Sequence, residues 1–233
     1  ILVSIITTSA FSQTTNIFEP IDVFDLEYVS NTEISPNGDK VLYQRNFNDI
    51  MTDESFSNIW LINYDGTNNR PITTGNFKDN SPKWSNKGDK FVFKSNRDNK
   101  QQIFLFNLKY NSIQKLTNHQ YSVESIKWSP DDNYILFSSF IDSERDTLIE
   151  MPDKPKGAKW NDPPVEISDL NYRYDSSGFR KPGEVQFFTI PVSGGTPRKI
   201  SNIKPEKRAG QAEWLGNDKI LFSANLNDDS DYN

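Results

Sequence analysis

The stretch WSNKGDKFVFKSNRDNKQQIFLFNLKYNSIQKLT, residues 84–117, decides the fold. It opens on Trp84, turns through Asn86-Lys87-Gly88-Asp89 and runs into the alternating strand FVFKS. A second apolar run, IFLFNLKYN at 103–111, and a shorter one, IQKLT at 113–117, complete it. Gly, Asn and Asp between two alternating runs are the chemistry of a tight hairpin.

The same unit recurs. ISPNGDKVLYQR at 34–45, WSPDDNYILFSSFID at 128–142 and WLGNDKILFSANLND at 214–228 repeat the turn and the strand after it. IWLINYDG at 59–66 and FFTIPVSGG at 187–195 match the third strand, and RPITT at 70–74 and PRKIS at 197–201 match the fourth. Ile59 to Ile72, Ile103 to Leu116 and Phe187 to Ile200 are each 13 residues. Ile72 to Trp84 and Leu116 to Trp128 are each 12, and Ile200 to Trp214 is 14. Four-stranded units of this length are the sign of a β-propeller. The expected fold class is all-β, an incomplete propeller of about three and a half blades. Blades are expected at 31–74, 81–117 and 125–201, with an unfinished one at 211–233. Too few blades to close leaves strand edges open, so the sequence is expected to stop inside a longer propeller.

The third unit is too long. Trp84 to Ile103 is 19 residues, whereas Trp128 to Phe187 is 59. About forty extra residues therefore separate the second and third strands, at 143–183. Four prolines (Pro152, Pro155, Pro163, Pro164) exclude regular helix or a central strand there. A short strand is expected over 166–174 and a turn at 175–178. Loops inserted on a rigid scaffold often carry function.

Composition excludes much chemistry. The 233 residues contain no Cys and one His, with a net charge of −6. No disulfide framework, thiolate metal site or cysteine nucleophile is available. A Ser-His-Asp triad within the chain would have to use His119, which lies in the polar run TNHQY and reads as an exposed turn. An acidic chain has nothing to offset phosphate charge, so nucleic acid is not the expected partner. The 30 aromatic residues (16 Phe, 9 Tyr, 5 Trp) argue for a packed fold despite a hydrophobic fraction of 34%. Residues 1–12, ILVSIITTSAFS, read as the remnant of a secretory signal with small residues Ala10 and Ser12 before a cut at Gln13. The run is too short to span a membrane. Periplasmic or secreted localisation follows.

Several elements together resemble a known family. The SPxG-like turns, the SNRD run and the IWL/IFL strands are similar to TolB-like propellers. The runs AKWNDPP, LNYRYDSSGF and VQFFTIPVSGGTPRKIS, within 158–201, resemble the N-terminal propeller of bacterial prolyl oligopeptidase family serine peptidases. Acylaminoacyl-peptidase-like and dipeptidyl-peptidase-like enzymes are among them. The resemblance covers about residues 25–228. It implies a C-terminal α/β-hydrolase domain with Ser, Asp and His, the Ser in a G-x-S-x-G elbow, and a propeller that restricts access to it. Peptide substrate would be met through that domain. This chain contains no G-x-S-x-G, so no catalytic residue carries over. The adjacent Glu-Glu pair of the dipeptidyl peptidase branch does not occur here either.

The candidate contact residues for substrate or partner are Trp160, which breaks the tryptophan register, and Tyr172, Arg173 and Tyr174 of the YRYD run. Trp84, Trp128 and Trp214 repeat in register and read as packing residues. Arg97-Asp98 and Arg145-Asp146 read as ion pairs or solvated turns. Asp228, Asp229 and Asp231 lack calcium-loop spacing. No cofactor and no metal ligand set is expected. The alternative to a gating propeller is a TolB-like binding module without catalysis. A glycosidase in the channel lacks a pair of carboxylates in a convincing context.

Overall fold

The computed structural model describes residues 17–143, 152–161, 167, 172–175, 178–179, 181–204 and 208–227. A short 3₁₀ helix (Pro20–Asp25) leads into sixteen strands. The first sheet holds β1 (Tyr28–Ile34), β2 (Lys40–Asp49), β3 (Glu54–Asn63) and β4 (Arg70–Pro71). The second holds β5 (Asn80–Trp84), β6 (Lys90–Ser95), β7 (Gln102–Asn107) and β8 (Ser112–Lys115). The third comprises β9 (Val123–Trp128), β10 (Tyr134–Asp142), β13 (Gly183–Pro191) and β14 (Arg198–Lys199). Between β10 and β13 sits a small hairpin, β11 (Arg173–Tyr174) and β12 (Gly178–Phe179). A last pair, β15 (Arg208–Leu215) and β16 (Lys219–Asn225), forms a two-stranded sheet. Each full sheet is an antiparallel meander of four neighbours, the blade of a propeller. The all-β, incomplete propeller expected from the repeat is the fold observed.

The first turn of each blade is built by one device. Ser35, Ser85 and Ser129 each accept from the backbone N–H five residues on, at 2.9, 3.4 and 2.9 Å. Three residues after each serine the backbone adopts positive φ, at Gly38 (75°), Gly88 (70°) and Asp132 (61°). Glycine takes that conformation freely. Asp132 takes it for a different reason. Its buried carboxylate accepts from Asn86 N (2.7 Å), Asn86 Nδ2 (2.8 Å) and Lys87 N (3.0 Å). The third blade's turn thereby grips the second blade's turn.

A second device closes the other end. Gln102 Oε1 accepts from the Thr117 hydroxyl and the His119 N–H, both at 2.8 Å, and its amide donates to the His119 carbonyl at 3.0 Å. Gln186 does the same with Ser201 (2.7 Å) and Ile203 (3.2 Å). In the first blade Asn58 donates to the Gly75 carbonyl at 3.0 Å, and Thr73 Oγ1 accepts from Ile59 N at 2.9 Å. Buried polar groups satisfied in this way tie the third strand to the exit of the fourth.

Three apolar layers lie between blades. Leu42, Ile59 and Leu61 of the first blade pack on Trp84, Phe91, Phe93, Phe104 and Phe106 of the second. Val92, Ile103 and Leu105 of the second pack on Ile126, Ile135, Phe137 and Phe188 of the third. Leu136 and Phe187 of the third meet Ala212 in β15. The tryptophans in register also act across these layers. Trp84 Nε1 donates to the Glu33 carbonyl (3.1 Å), Trp128 Nε1 to Lys83 (2.9 Å) and Trp214 Nε1 to Lys127 (3.5 Å). Each acceptor immediately precedes the matching position one blade earlier. The first strands of the four sheets therefore converge. Among the described residues no helix is long and apolar enough to cross a membrane.

Candidate functional site

The loops between second and third strands share one end of the molecule with the connections from blade to blade. Asp79 N donates to the Ser57 carbonyl (3.0 Å), Val123 N to Gln101 (2.9 Å) and Asn76 Nδ2 to Asp49 Oδ2 (3.1 Å). The insertion leaves and re-enters the fold at this end. Its neck is closed by Ser143 N donating to the Pro182 carbonyl at 3.1 Å. Gly183 makes the neck possible. A Cβ there would lie 2.4 Å from the Ile141 carbonyl oxygen and 2.6 Å from Phe140 Cζ.

Within the insertion the motif YRYDSSGF is the hairpin. Arg173 pairs with Phe179 and Tyr174 with Gly178. Of the strand expected over 166–174, the described residues show Arg173–Tyr174 in a strand and Tyr172 outside one. Ile167 lies outside any strand, and residues 162–166 and 168–171 fall outside the described residues. Tyr172 stacks on Phe179 with ring centroids 6.3 Å apart. Both rings stay open to solvent, at 44% and 53%. Arg173 is exposed too, while the side chain of Tyr174 lies outside the described residues. Trp160 is 45% exposed on the stretch 152–161, among exposed Lys154, Lys156 and Lys159. The structure therefore joins Tyr172 and Arg173 in one hairpin. Among the described residues no ring contact joins Trp160 to it. Half-exposed aromatics flanked by cations leave ring faces and positive charge open at the surface.

Each of the three four-stranded blades carries on one face a repeated constellation that sequence reasoning missed, and in the second and third blades that face is a seam. Each blade stacks an aromatic of its second strand on one of its third: Tyr43 on Trp60, Phe93 on Phe104, Phe137 on Phe188. A nitrogen base caps each pair. Arg45 lies 5.5 Å from the Trp60 ring and is held by Glu27. Arg97 lies 4.9 Å from Phe104 and 5.8 Å from Phe93. It donates to both oxygens of the wholly buried Asp79 at 2.9 Å and to Ser95 at 2.9 Å. In the third blade the base is His119, 4.6 Å from Phe188 and 5.5 Å from Phe137. The exposed turn expected for His119 is corrected: the ring is half-buried, and its Nε2 is buried without a partner among the described residues. Burial pulls its pKa below the usual 6.5. Arg97 is an ion-pair residue, as expected. Asp98 pairs with Lys115 at 2.7 Å. Arg145-Asp146, Asp228, Asp229 and Asp231 lie outside the described residues, as does the leader remnant 1–12.

The converging first strands carry a charged ladder. Glu33 pairs with Lys83, and Lys127 with Glu213. Between them, Lys94 donates to the Glu124 carbonyl. Burial pulls the Lys94 ammonium down and pushes the Glu124 carboxyl up, each opposed by the other's charge. Among the described residues no group of three His, Cys, Asp or Glu is placed to hold a metal ion. His119 contacts a phenylalanine pair, and among the described residues it donates through no ring nitrogen to a nucleophile.

This architecture defines a segment of β-propeller that carries a loop insertion. Comparison with known proteins gives its kin. The profile of the eukaryotic translation initiation factor eIF2A family matches residues 35–150, just under half of the chain. That span runs from the first turn, through the second blade, into the insertion of the third. The chain is 25% identical over 215 residues to the uncharacterized peptidase YuxL of Bacillus subtilis, covering 90% of this chain and 31% of that protein. It is 26% identical over 168 residues to Dipeptidyl-peptidase 5 of Porphyromonas gingivalis, covering 72% and 24%. The chain thus spans about a third or less of the curated relatives it matches. Among solved structures, the acylaminoacyl peptidase of Pyrococcus horikoshii aligns with a TM-score of 0.62 at 21% identity, over 85% of this chain and 28% of that one. A puromycin-hydrolyzing peptidase of Mycobacterium tuberculosis aligns with a TM-score of 0.53 at 11% identity, over 85% and 28%. Both relatives and both fold neighbours are peptidases.

Proposed function

We propose that this chain is the non-catalytic propeller portion of an exported serine peptidase of the prolyl oligopeptidase family. It selects which peptides reach a hydrolase domain carried elsewhere in the parent protein. The observation that carries the reading is the match to a peptidase over nine-tenths of this chain but under a third of that protein. The acidic balance argues against nucleic acid as the ligand of this segment. Trp160, Tyr172, Arg173 and Tyr174 of the insertion are the proposed contacts for peptide or for a neighbouring domain.

The test begins with the gene. A G-x-S-x-G elbow on an α/β domain is expected in the parent reading frame. An intact frame with no such domain would sink the peptidase reading and leave a non-catalytic binding propeller. With the parent enzyme in hand, cleavage of short chromogenic peptides is compared with cleavage of a folded protein. Deleting this propeller is expected to abolish the preference for short peptides. An unchanged preference would remove the gating role.

A further inference from the structure

The three capped aromatic pairs differ in one respect. Arg45 and Arg97 each have a carboxylate placed just before the first strand of their own blade, Glu27 and Asp79. The position equivalent to Asp79 in the third blade is fixed by backbone bonding. Asp79 N donates to the carbonyl of the residue before Asn58, and Val123 N donates to that of the residue before Gln102. Val123 therefore stands where Asp79 stands, and it is 2% exposed. Ser139 opposes Gln186 as Ser95 opposes Gln102. Ser95 accepts from Arg97, whereas the hydroxyl of the wholly buried Ser139 has no partner among the described residues. The third niche thus keeps the rings and the serine of a cation site and lacks its anion.

We propose that His119 makes the seam between the second and third blades an acid-sensitive joint, closed while the imidazole is neutral and loosened when it is protonated. The ring sits on both blades at once. Its backbone is held by Gln102 of β7, and its ring makes T-shaped contacts with Phe137 of β10 and Phe188 of β13. None of the ionisable groups around it is paired with the imidazole among the described residues. Tyr121 touches the ring at 5.9 Å. Lys100 donates to the Gln120 carbonyl at 2.7 Å and adds a cation nearby. Lys115 is paired with Asp98. Val123 of β9 is apolar, and its neighbour Glu124 faces Lys94. On β10, Ser139 and Ile141 share the Phe137 side and carry no charge. On β13, Glu184 lies on the Phe188 side two pleats nearer Gly183, and its Oε2 has no partner. Among the described residues the imidazole forms no ion pair. An imidazolium there is desolvated without compensation.

The sign follows from linkage. A histidine whose folded pKa lies below its unfolded value is neutral in the native state while the unfolded chain binds the proton. Its contribution is whole above pH 6.5 and is lost as pH falls from there through the folded pKa. The chain has one histidine, so its imidazole resonance is unambiguous. Proton NMR titration of the full chain is expected to give a midpoint below 6.5. Amide exchange protection in β9, β10 and β13 is expected to drop over the same range while β2 and β3 keep theirs. His119→Gln is expected to remove that acid-dependent loss. Val123→Asp, which copies the Asp79 arrangement, is expected to raise the midpoint. A midpoint at or above 6.5, or a loss of protection that persists in His119→Gln, would overturn the joint. Should Val123→Asp not fold, the wild-type titration and His119→Gln decide the matter.

Discussion

Arg97 shows how a single side chain serves a seam. Its guanidinium is spread over Phe93 and Phe104 and bonded to Asp79, which has no solvent exposure at all. Removing one partner strands a charge in the interior. Arg97→Ala is expected to cost about 3–5 kcal/mol in denaturant unfolding. The Asp79→Ala/Arg97→Ala double variant is expected to cost less than the sum of the single changes. Lysine is a poor substitute, because the planar fork and the stacking are both used. This pair was not legible in the sequence. Acid and base stand 18 residues apart, and only blade closure brings them together. The burial of His119 is hidden in the sequence for the same reason. The run TNHQY is polar, and the aromatics that bury the ring come from strands of the next blade. Trp160 and Tyr172 belong to another kind of residue. Both are close to half exposed, so Trp160→Ala and Tyr172→Ala are expected to leave unfolding within about 0.5 kcal/mol. If the proposed parent peptidase is as inferred above, they are expected to raise KM with kcat kept, the signature of lost binding common to ground and transition state.

Elements were the most legible level. Strands after the turns announced themselves through alternation, and the tryptophan register identified the blade because packing between blades demands one large ring at one place. The insertion was less legible. Its hairpin strands are two residues long, too short for any period to register. The turns carry a pH signature of their own. The Asp131 carboxylate accepts from the Ser129 hydroxyl and from the Asn133 backbone, which hold its pKa below 3.8. A depressed carboxylate contributes above its unfolded pKa and loses that contribution as pH falls below it. Protection factors at Asn133 and Tyr134 are therefore expected to fall below pH 3.8, and Asp131→Asn is expected to flatten that dependence. Gly183→Ala tests the neck of the insertion. With a carbonyl oxygen 2.4 Å from the new methyl, backbone must shift. Lowered thermal stability with exchange changes confined to β10 and β13 is the expected result.

At the scale of the molecule, apolar layers outweigh the charged ladder. The pairs Glu33–Lys83 and Lys127–Glu213 are partly open to water, and such pairs are worth about 0–1 kcal/mol. Lys83→Ala is expected to stay within that range, whereas Phe91→Ala, emptying a fully buried ring site between two blades, is expected to cost about 3–5 kcal/mol. Denaturant titration of the two variants side by side makes the comparison. The indole series has a further consequence. Trp84, Trp128 and Trp214 each donate backward, to a carbonyl that lies earlier in the chain. The series therefore has a direction, and it is the direction of translation. A ribosome delivers every acceptor before its donor, so no indole in the series has to wait for its carbonyl to be synthesised.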